Sequence, residues 1–297
     1  MDNFQLSPLP IPADTSKRIG LLRELLQNGQ PAPLMRHQCR MDATQAVMWQ
    51  AAMILDGSRK ILSGSQTKLD KAKGAVNRGL TLASADEATP WLHDKFTACA
   101  GSTSTCVAVC VGSRTGQGRL QSSAIARIGR TLALSVDPQT FLRRLDAEIE
   151  RANKAARKKG ITLAVRANVA SDHPHLAGRL AARHPTVAFY DYTAISAAMR
   201  LQDNVRRVYS HKGAERLTLT LRHLEAGRGV ACVFPISSRS GDPLPATWRG
   251  FPVIDGDVDD LWFMRAPSSG GFVVGLKVKG NNAQIDAAKK GGFTVAM

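Results

Sequence analysis

The sequence predicts an α/β fold with a mostly parallel sheet, either open or (β/α)-barrel-like, with helical additions at its N-terminal end. The first observation is an alternation after residue 130, where short helical segments separate short β-rich runs. Such alternation indicates parallel strands joined by crossover helices. The second observation is that residues 14–55 show helical spacing of their apolar residues and no strand-like run.

The N-terminal part divides into an arm and a helical region. Prolines at positions 8, 10 and 12 predict an extended arm over residues 1–13. Helices are predicted over residues 14–27 and 42–55, because apolar residues recur at helical spacing and a glycine follows each segment. We therefore assign residues 14–90 to a helical N-terminal region and residues 91–297 to the α/β body.

Within the body, a long helix is predicted to begin at Asp137-Pro138 and to end at Gly160. Further helices are predicted over residues 174–183, 193–201 and 215–225. Strands are predicted over residues 161–168, 186–190, 206–210 and 229–234, with β-like segments at 251–254 and 271–279. Residues 57–118 are rich in Gly, Ser, Thr and Lys and indicate no clear element.

The chain is strongly basic, with a formal net charge of +16, and the excess is uneven. Residues 91–170 hold 13 basic and 5 acidic groups, a net charge of +8. Clustered basic residues are typical of proteins that bind polyanions, so we expect nucleic acid, and DNA first, as the partner. The candidate phosphate-binding residues are Arg114, Arg119, Arg127, Arg130, Lys154, Arg157 and Lys158. The alternative is a solubilising helix face whose cations meet the helix C-terminal dipole.

Several classes of protein are disfavoured. No run of about 18 apolar residues predicts a transmembrane helix, and the basic helices lack the broad aromatic face of a membrane-surface protein. The first residues lack the basic flank and apolar core of a secretory signal, so we expect a cytoplasmic protein. Five cysteines argue against a disulfide framework, and 5% aromatic residues argue against base stacking as the main binding mode.

Three cysteines, Cys99, Cys106 and Cys110, form a Cys-x6-Cys-x3-Cys motif. Thiolates bind soft metals, so the motif is a candidate site for zinc or for an iron–sulfur cluster. A fourth ligand would come from elsewhere, for example His93 or Cys39. The alternative is that these cysteines are small buried residues among valines. The glycine-rich loop that follows, residues 112–119, is a candidate phosphate contact or a plain flexible turn.

Acidic residues follow three of the predicted β segments. Asp172, Asp191 and Asp255 are the candidate catalytic acids, because the carboxyl ends of parallel strands gather ligands on one edge of a sheet. Their oxygens suit Mg²⁺ or Mn²⁺, which metal-dependent phosphodiester chemistry uses. For the last of them, in the run VIDGDVDD, the alternative is a solvated acidic turn.

A His-Pro-His run at residues 173–175 resembles the paired histidines of rolling-circle nickases, in which a tyrosine attacks the phosphodiester. Tyr190 and Tyr192 are the candidate nucleophiles. Pro174 argues against this interpretation, because proline removes a strand hydrogen bond and suits the start of a helix. The alternative is a capped helix start with exposed imidazoles.

A series of motifs in fixed order resembles a known family. The motifs are the Cys106-x3-Cys110 segment with its glycine loop, ARIGRT, FLRRLDAEI, AVRAN with SD, FYDYT, VIDGD and VVGLKVKG, within residues 95–297. Together they are similar to an uncharacterised family encoded by bacteriophages, plasmids and prophages and typified by a mycobacteriophage gene product. The resemblance implies a mobile-element origin, an α/β body and, for a phage-encoded copy, the host cytoplasm.

The sequence departs from the family pattern at three places. Ala194 stands where the family usually has Lys after YDYT, Ser210-His211-Lys212 replaces an Arg-Ser-Glu-like run, and Trp262 replaces a basic residue. If those groups act in catalysis, this copy is weakened or adapted to another substrate.

Four functions therefore stay open. The main expectation is a phage- or plasmid-type protein acting on nucleic acid, such as a metal-dependent DNA-processing or DNA-modifying enzyme. The alternatives are a non-catalytic DNA- or RNA-binding protein in replication or packaging, an iron–sulfur or radical-type enzyme that uses the three cysteines, and a rolling-circle-type nickase.

Overall fold

A computed structural model describes residues 43–64, 75–84, 87–88, 92, 97–199 and 203–297. The predicted arm over residues 1–13, the predicted helix over residues 14–27, and the ligand candidates Cys39 and His93 lie outside these residues. In the described part of the chain, no helix is long and apolar enough to cross a membrane.

The described residues form helices and strands in an alternating order. The α-helices among them are α1 Ala43–Asp56, α2 Ser104–Ala108, α3 Gln121–Val136, α4 Pro138–Lys158, α5 Pro174–Arg183, α6 Leu217–Glu225 and α7 Asn282–Lys290. The strands among them are β1 Ala75–Gly79, β2 Thr162–Arg166, β3 Ala188–Thr193, β4 Val205–Ser210, β5 Gly229–Ser237, β6 Thr247–Trp248, β7 Phe251–Asp255 and β8 Phe272–Val278.

Within this described part, the strands make one eight-stranded sheet in the order β1-β2-β3-β4-β5-β8-β7-β6. All neighbouring pairs are parallel except β6 and β7, which are antiparallel. The predicted α/β class with a mostly parallel sheet is therefore confirmed. The first five strands follow one another as in a (β/α) barrel, but β1 and β6 form two separate edges, so the sheet is open.

The two faces of the sheet have different covers. On one face, Val165 of β2 and Phe189 of β3 share a core with residues of α1, α3, α4 and α5. On the other face, Ala164 and Tyr190 pack with Trp262, which belongs to a 3₁₀ turn at Trp262–Met264. Successive strand residues point to opposite faces, so α1, α3, α4 and α5 cover one face, and the segment around Trp262 contributes to the cover of the other.

Local sequence explains several elements that were predicted. The side chain of Asp137 accepts a hydrogen bond from the Thr140 backbone N at 3.0 Å, which caps α4, and Pro138 occupies its first turn. The helix ends before Gly160, whose φ of +66° is the left-handed conformation that glycine adopts easily. The predicted helix over residues 174–183 is α5.

Other elements differ from the prediction. The helix predicted over residues 193–201 is wrong, because Thr193 completes β3 and only a 3₁₀ turn, Ser196–Met199, follows. The side chain of Asp172 accepts a hydrogen bond from the Ala194 backbone N at 2.9 Å, a tertiary contact that sequence spacing cannot show. Strand β1 was not predicted, and since it pairs with β2, the sheet begins before residue 91.

Candidate active site

A cavity of about 240 Å³ lies at the edge of the sheet where parallel strands end. Its lining includes the last residues of β2, β4 and β8, which are Arg166, Ser210 and Val278. Tyr192, near the end of β3, and Val233 of β5 also line it. In α/β folds, ligands bind at this carboxyl edge of the strands, so the cavity is the candidate site.

All three cysteines of the sequence motif line this cavity. Cys106 lies in the short helix α2, whose N-cap Thr103 accepts a hydrogen bond from the Cys106 backbone N at 3.1 Å. The Thr103 hydroxyl also donates to the Lys212 carbonyl at 2.6 Å, which ties α2 to the segment after β4. Cys99 is tied to the segment after β2, since its thiol donates to the Ala170 carbonyl at 3.5 Å.

The thiols interact electrostatically with each other and with Lys212. Burial raises the pKa of Cys99 to about 12, while the positive charge of Lys212 opposes the rise, and Cys110 and Cys106 add to it. Burial also raises the pKa of Cys106, again against Lys212 and with Cys110 adding to it. The thiol of Cys110 therefore lies near those of Cys99 and Cys106.

The acidic residues are only partly brought together. Asp191 is fully buried in β3, and burial raises its pKa to about 7, with the nearby charge of Asp172 adding to the effect. Asp255 ends β7, and three strands separate β3 from β7, which corresponds to about 19 Å along the sheet. A single ion cannot be shared across that distance, so the expected convergence of Asp172, Asp191 and Asp255 is wrong.

Asp172 is the predicted acid that lines the cavity. It is 5% exposed, and its Oδ2 atom accepts the hydrogen bond from the Ala194 backbone N. Its buried Oδ1 atom has no hydrogen-bond partner among the described residues. An unpaired buried acceptor is costly, so this atom is available to a bound group.

The tyrosine and histidine of the nickase interpretation have structural roles. Tyr190 is fully buried, and its hydroxyl exchanges hydrogen bonds with the Asn77 side chain at 2.9 and 3.1 Å. His173 caps α5, since its Nδ1 atom accepts a hydrogen bond from the Leu176 backbone N at 3.3 Å. Tyr190 is therefore not placed as a nucleophile, and the run at residues 173–175 is a capped helix start.

The predicted phosphate-binding residues divide into two groups. Arg127 is 3% exposed and forms an ion pair with Glu87, and Arg130 donates to the Ile61 carbonyl at 2.8 Å. Burial lowers the pKa of Arg130 to about 10. Neither guanidinium is available to a phosphate, which corrects that part of the prediction. The other five are exposed, namely Arg114, Arg119, Lys154, Arg157 and Lys158.

The exposed basic residues of α4 lie far from the cavity. Lys154, Arg157 and Lys158 lie on one exposed face near the C-terminal end of this helix, together with Glu150 and Asn153. That end of the helix leads into the first residue of β2, Thr162, whereas the cavity lies at the other end of β2. This basic face and the cavity are therefore at opposite edges of the sheet.

Several cavity residues were missed by the sequence argument. Arg166 donates to the Asp260 carboxylate at 3.0 Å and lies 4.5 Å from the centre of the Tyr192 ring. Lys212 follows β4 and Lys277 lies near the end of β8. Arg166, Lys212 and Lys277 lie in or just after strand-like runs, and Asp260 lies in a neighbouring loop. The rule that ligands gather at strand ends, which was applied to the acidic residues, could therefore also have been applied to the basic ones.

Among the residues that the structure describes, no group of three or more His, Cys, Asp or Glu side chains is arranged to hold a single metal ion.

The fold and cavity define an open-sheet α/β protein with a thiol-lined site at the carboxyl edge of its strands. The chain belongs to the gene product 88 family, a phage-type family whose model matches residues 59–294. This match confirms the resemblance found from the motifs.

No curated protein sequence and no solved structure matches the chain.

Proposed function

We propose that the protein is an enzyme whose active site is the thiol-lined cavity and whose three cysteines bind an iron–sulfur cluster. The observation that carries the proposal is that Cys99, Cys106 and Cys110 all line one cavity. Three protein thiolates leave one position of a four-iron cluster open to another ligand. Such a cluster supplies electron transfer or Lewis-acid chemistry beside the bound substrate.

The surroundings of the thiols support this function. Cys99 and Cys106 are held by different segments, one through the Ala170 carbonyl and one through the cap at Thr103. Lys212 places a positive charge near both thiols, which favours their thiolate forms. Metal binding deprotonates a coordinating thiol outright, so the raised pKa of the free thiol does not prevent ligation.

The test is metal and sulfide analysis of protein purified without oxygen, for the wild type and for a variant with all three cysteines replaced by alanine. We expect iron and sulfide in the wild type and neither in the variant. Cys232→Ala is the matched control, because Cys232 is fully buried among core residues outside the cavity. Equal iron in the triple variant, or no iron in the wild type after reconstitution, would contradict the proposal. Zinc in place of iron would also contradict the proposal.

A second candidate function, nucleic-acid binding with DNA first, is favoured by a different observation. The basic face near the end of α4 carries Lys154, Arg157 and Lys158, and Arg151 and Lys159 beside it are also exposed. Phosphate contacts by such groups release counterions, which makes binding strongly dependent on salt. This function needs no catalysis and is compatible with a role in replication or packaging.

The test is fluorescence anisotropy with duplex and single-stranded DNA at two salt concentrations. The wild type should bind more weakly at higher salt, and the Lys154→Ala/Arg157→Ala/Lys158→Ala variant should reduce the salt slope by roughly 0.9 per lost phosphate contact on duplex DNA. A variant with Arg222, Lys289 and Lys290 replaced by alanine is the control, because it removes the same charge from other exposed positions. Equal losses of DNA affinity in both variants would contradict specific binding by this basic face.

A further inference from the structure

Two of the charged residues that line the cavity, Asp172 and Lys212, lie near the thiols. Asp172 carries one oxygen that is buried and has no hydrogen-bond partner among the described residues. Lys212 lines the same cavity, and the charges of both residues reach Cys99 and Cys106. In the described part of the chain, Asp172 and Lys212 do not form an ion pair with each other.

The unpaired Oδ1 atom of Asp172 is the first candidate contact for a ligand. Its other oxygen is held by the Ala194 backbone N, so the carboxylate is fixed in orientation. A buried carboxylate oxygen is stabilised most by a charged donor, because charge-assisted hydrogen bonds are the strongest available.

Lys212, which lines the same cavity, is the second candidate contact for a ligand. Its backbone carbonyl is held by the Thr103 hydroxyl, which fixes the base of the side chain next to α2. An ammonium that lines a partly apolar cavity is satisfied by an anionic group of the ligand.

Part of the remaining wall is apolar, and among the other charged residues that line it, Arg166 is paired with Asp260 and Lys279 with Asp257. Side chains of α2, the loop after it, β8 and the C-terminal segment contribute, among them Val107, Val109, Leu276, Val278 and Phe293. A ligand that fills the cavity therefore has an apolar body in addition to its two charged groups.

We infer that the ligand of this cavity is an α-amino acid or a molecule with an α-amino acid group, whose ammonium binds Asp172 and whose carboxylate binds Lys212. This inference deepens the proposed function, because it names the ligand class of the same cavity. The apolar body lies against the valine-rich wall and the charged end lies next to the three thiols.

The probes are L-norleucine, hexanoate, which lacks the amino group, and L-norleucinamide, which lacks the carboxylate. Binding is measured by isothermal titration calorimetry on the full chain, once with and once without its iron. The wild type should bind norleucine about ten- to hundredfold more tightly than either analogue, since each lost contact involves a charged hydrogen bond.

Two variants assign the two ends of the ligand. Asp172→Asn keeps an oxygen for the Ala194 backbone N but loses the negative charge, so it should abolish the preference for norleucine over hexanoate. Lys212→Met keeps the length of the side chain and should abolish the preference for norleucine over norleucinamide. Asp255→Asn, outside the cavity, should change neither ratio.

Three outcomes would overturn the inference: hexanoate binding as tightly as norleucine in the wild type, an unchanged ratio in Asp172→Asn, or no norleucine binding at millimolar concentration. If the protein binds norleucine but never takes up iron, only the proposed iron–sulfur cluster is contradicted. Iron-loaded protein that binds no norleucine would contradict only the inferred ligand.

Discussion

The side-chain amide of Asn168 donates a hydrogen bond of 2.9 Å to the carboxylate of Asp191 in the interior of the protein. Asn168 is 1% exposed and Asp191 is fully buried. The bond joins β3 to the segment after β2, which also carries Asp172. Because Asp191 is withdrawn from water, its ionisation is coupled to the stability of this part of the site.

The free energy of unfolding should depend on pH through Asp191. Burial raises the pKa of Asp191 from 3.8 to about 7, so between these values the folded protein holds a proton that the unfolded chain has lost. This contribution stabilises the fold at low pH and disappears as the pH rises toward 7. Relative to Asp191→Asn, the wild type should lose roughly 2–3 kcal/mol between about pH 5 and about pH 8.

Urea denaturation of both proteins at the two pH values measures this difference. Asp242→Asn is the control, because Asp242 is exposed and its replacement should leave the pH dependence of the wild type unchanged. Parallel pH profiles for the wild type and Asp191→Asn would show that Asp191 ionises normally in the folded protein.

Tyr190→Phe should lower the free energy of unfolding by about 1–3 kcal/mol, because the Asn77 side chain loses its buried partner. Tyr192→Phe is the same change on the same strand, at a hydroxyl without a hydrogen-bond partner in the described part of the chain, and should cost less. Thermal and urea unfolding of the two variants compare them. A larger loss in Tyr192→Phe would contradict the structural role of Tyr190.

Arg127→Met should destabilise the fold by about 3–5 kcal/mol, since it leaves the partly buried Glu87 carboxylate without its ion-pair partner. Arg119 is exposed, so Arg119→Met should change stability by less than about 0.5 kcal/mol. Denaturation curves give both values. DNA affinity per folded molecule should not fall in Arg127→Met, and a fall would return Arg127 to the phosphate-binding set.

Gly271→Ala should cost about 1–3 kcal/mol, because a Cβ atom at this position would collide with the carbonyl oxygen of Leu224 at the end of α6. The neighbour is backbone and cannot rotate away. Gly241→Ala is the matched change at a position where a Cβ atom meets nothing within 4 Å. Circular dichroism melting curves of the two variants should therefore separate clearly, and equal melting temperatures would mean that α6 yields at little cost.

Much of the fold follows from local pattern. The cap at Asp137, the proline at position 138 and Gly160 determine the ends of α4 through short-range hydrogen bonds and backbone preference. Residues 193–201 show the limit, because their helix-like spacing competes with pairing of Thr193 against Tyr209 and with the contact between Asp172 and Ala194. Both contacts join residues distant in sequence, and no local pattern encodes them.

The α/β class, most of the strands from residue 161 onward, the family and the three cysteines as a candidate group could all be predicted from the sequence. Which charged residues share a site depends on the three-dimensional arrangement of the strands. The tertiary structure separates Asp255 from Asp191 by three strands, turns Arg127 inward to Glu87, and gathers Lys212 and Asp172 around the cysteines. The physical reason is that local interactions set helices and strands, whereas strand order and burial set which side chains meet, and both depend on the whole chain.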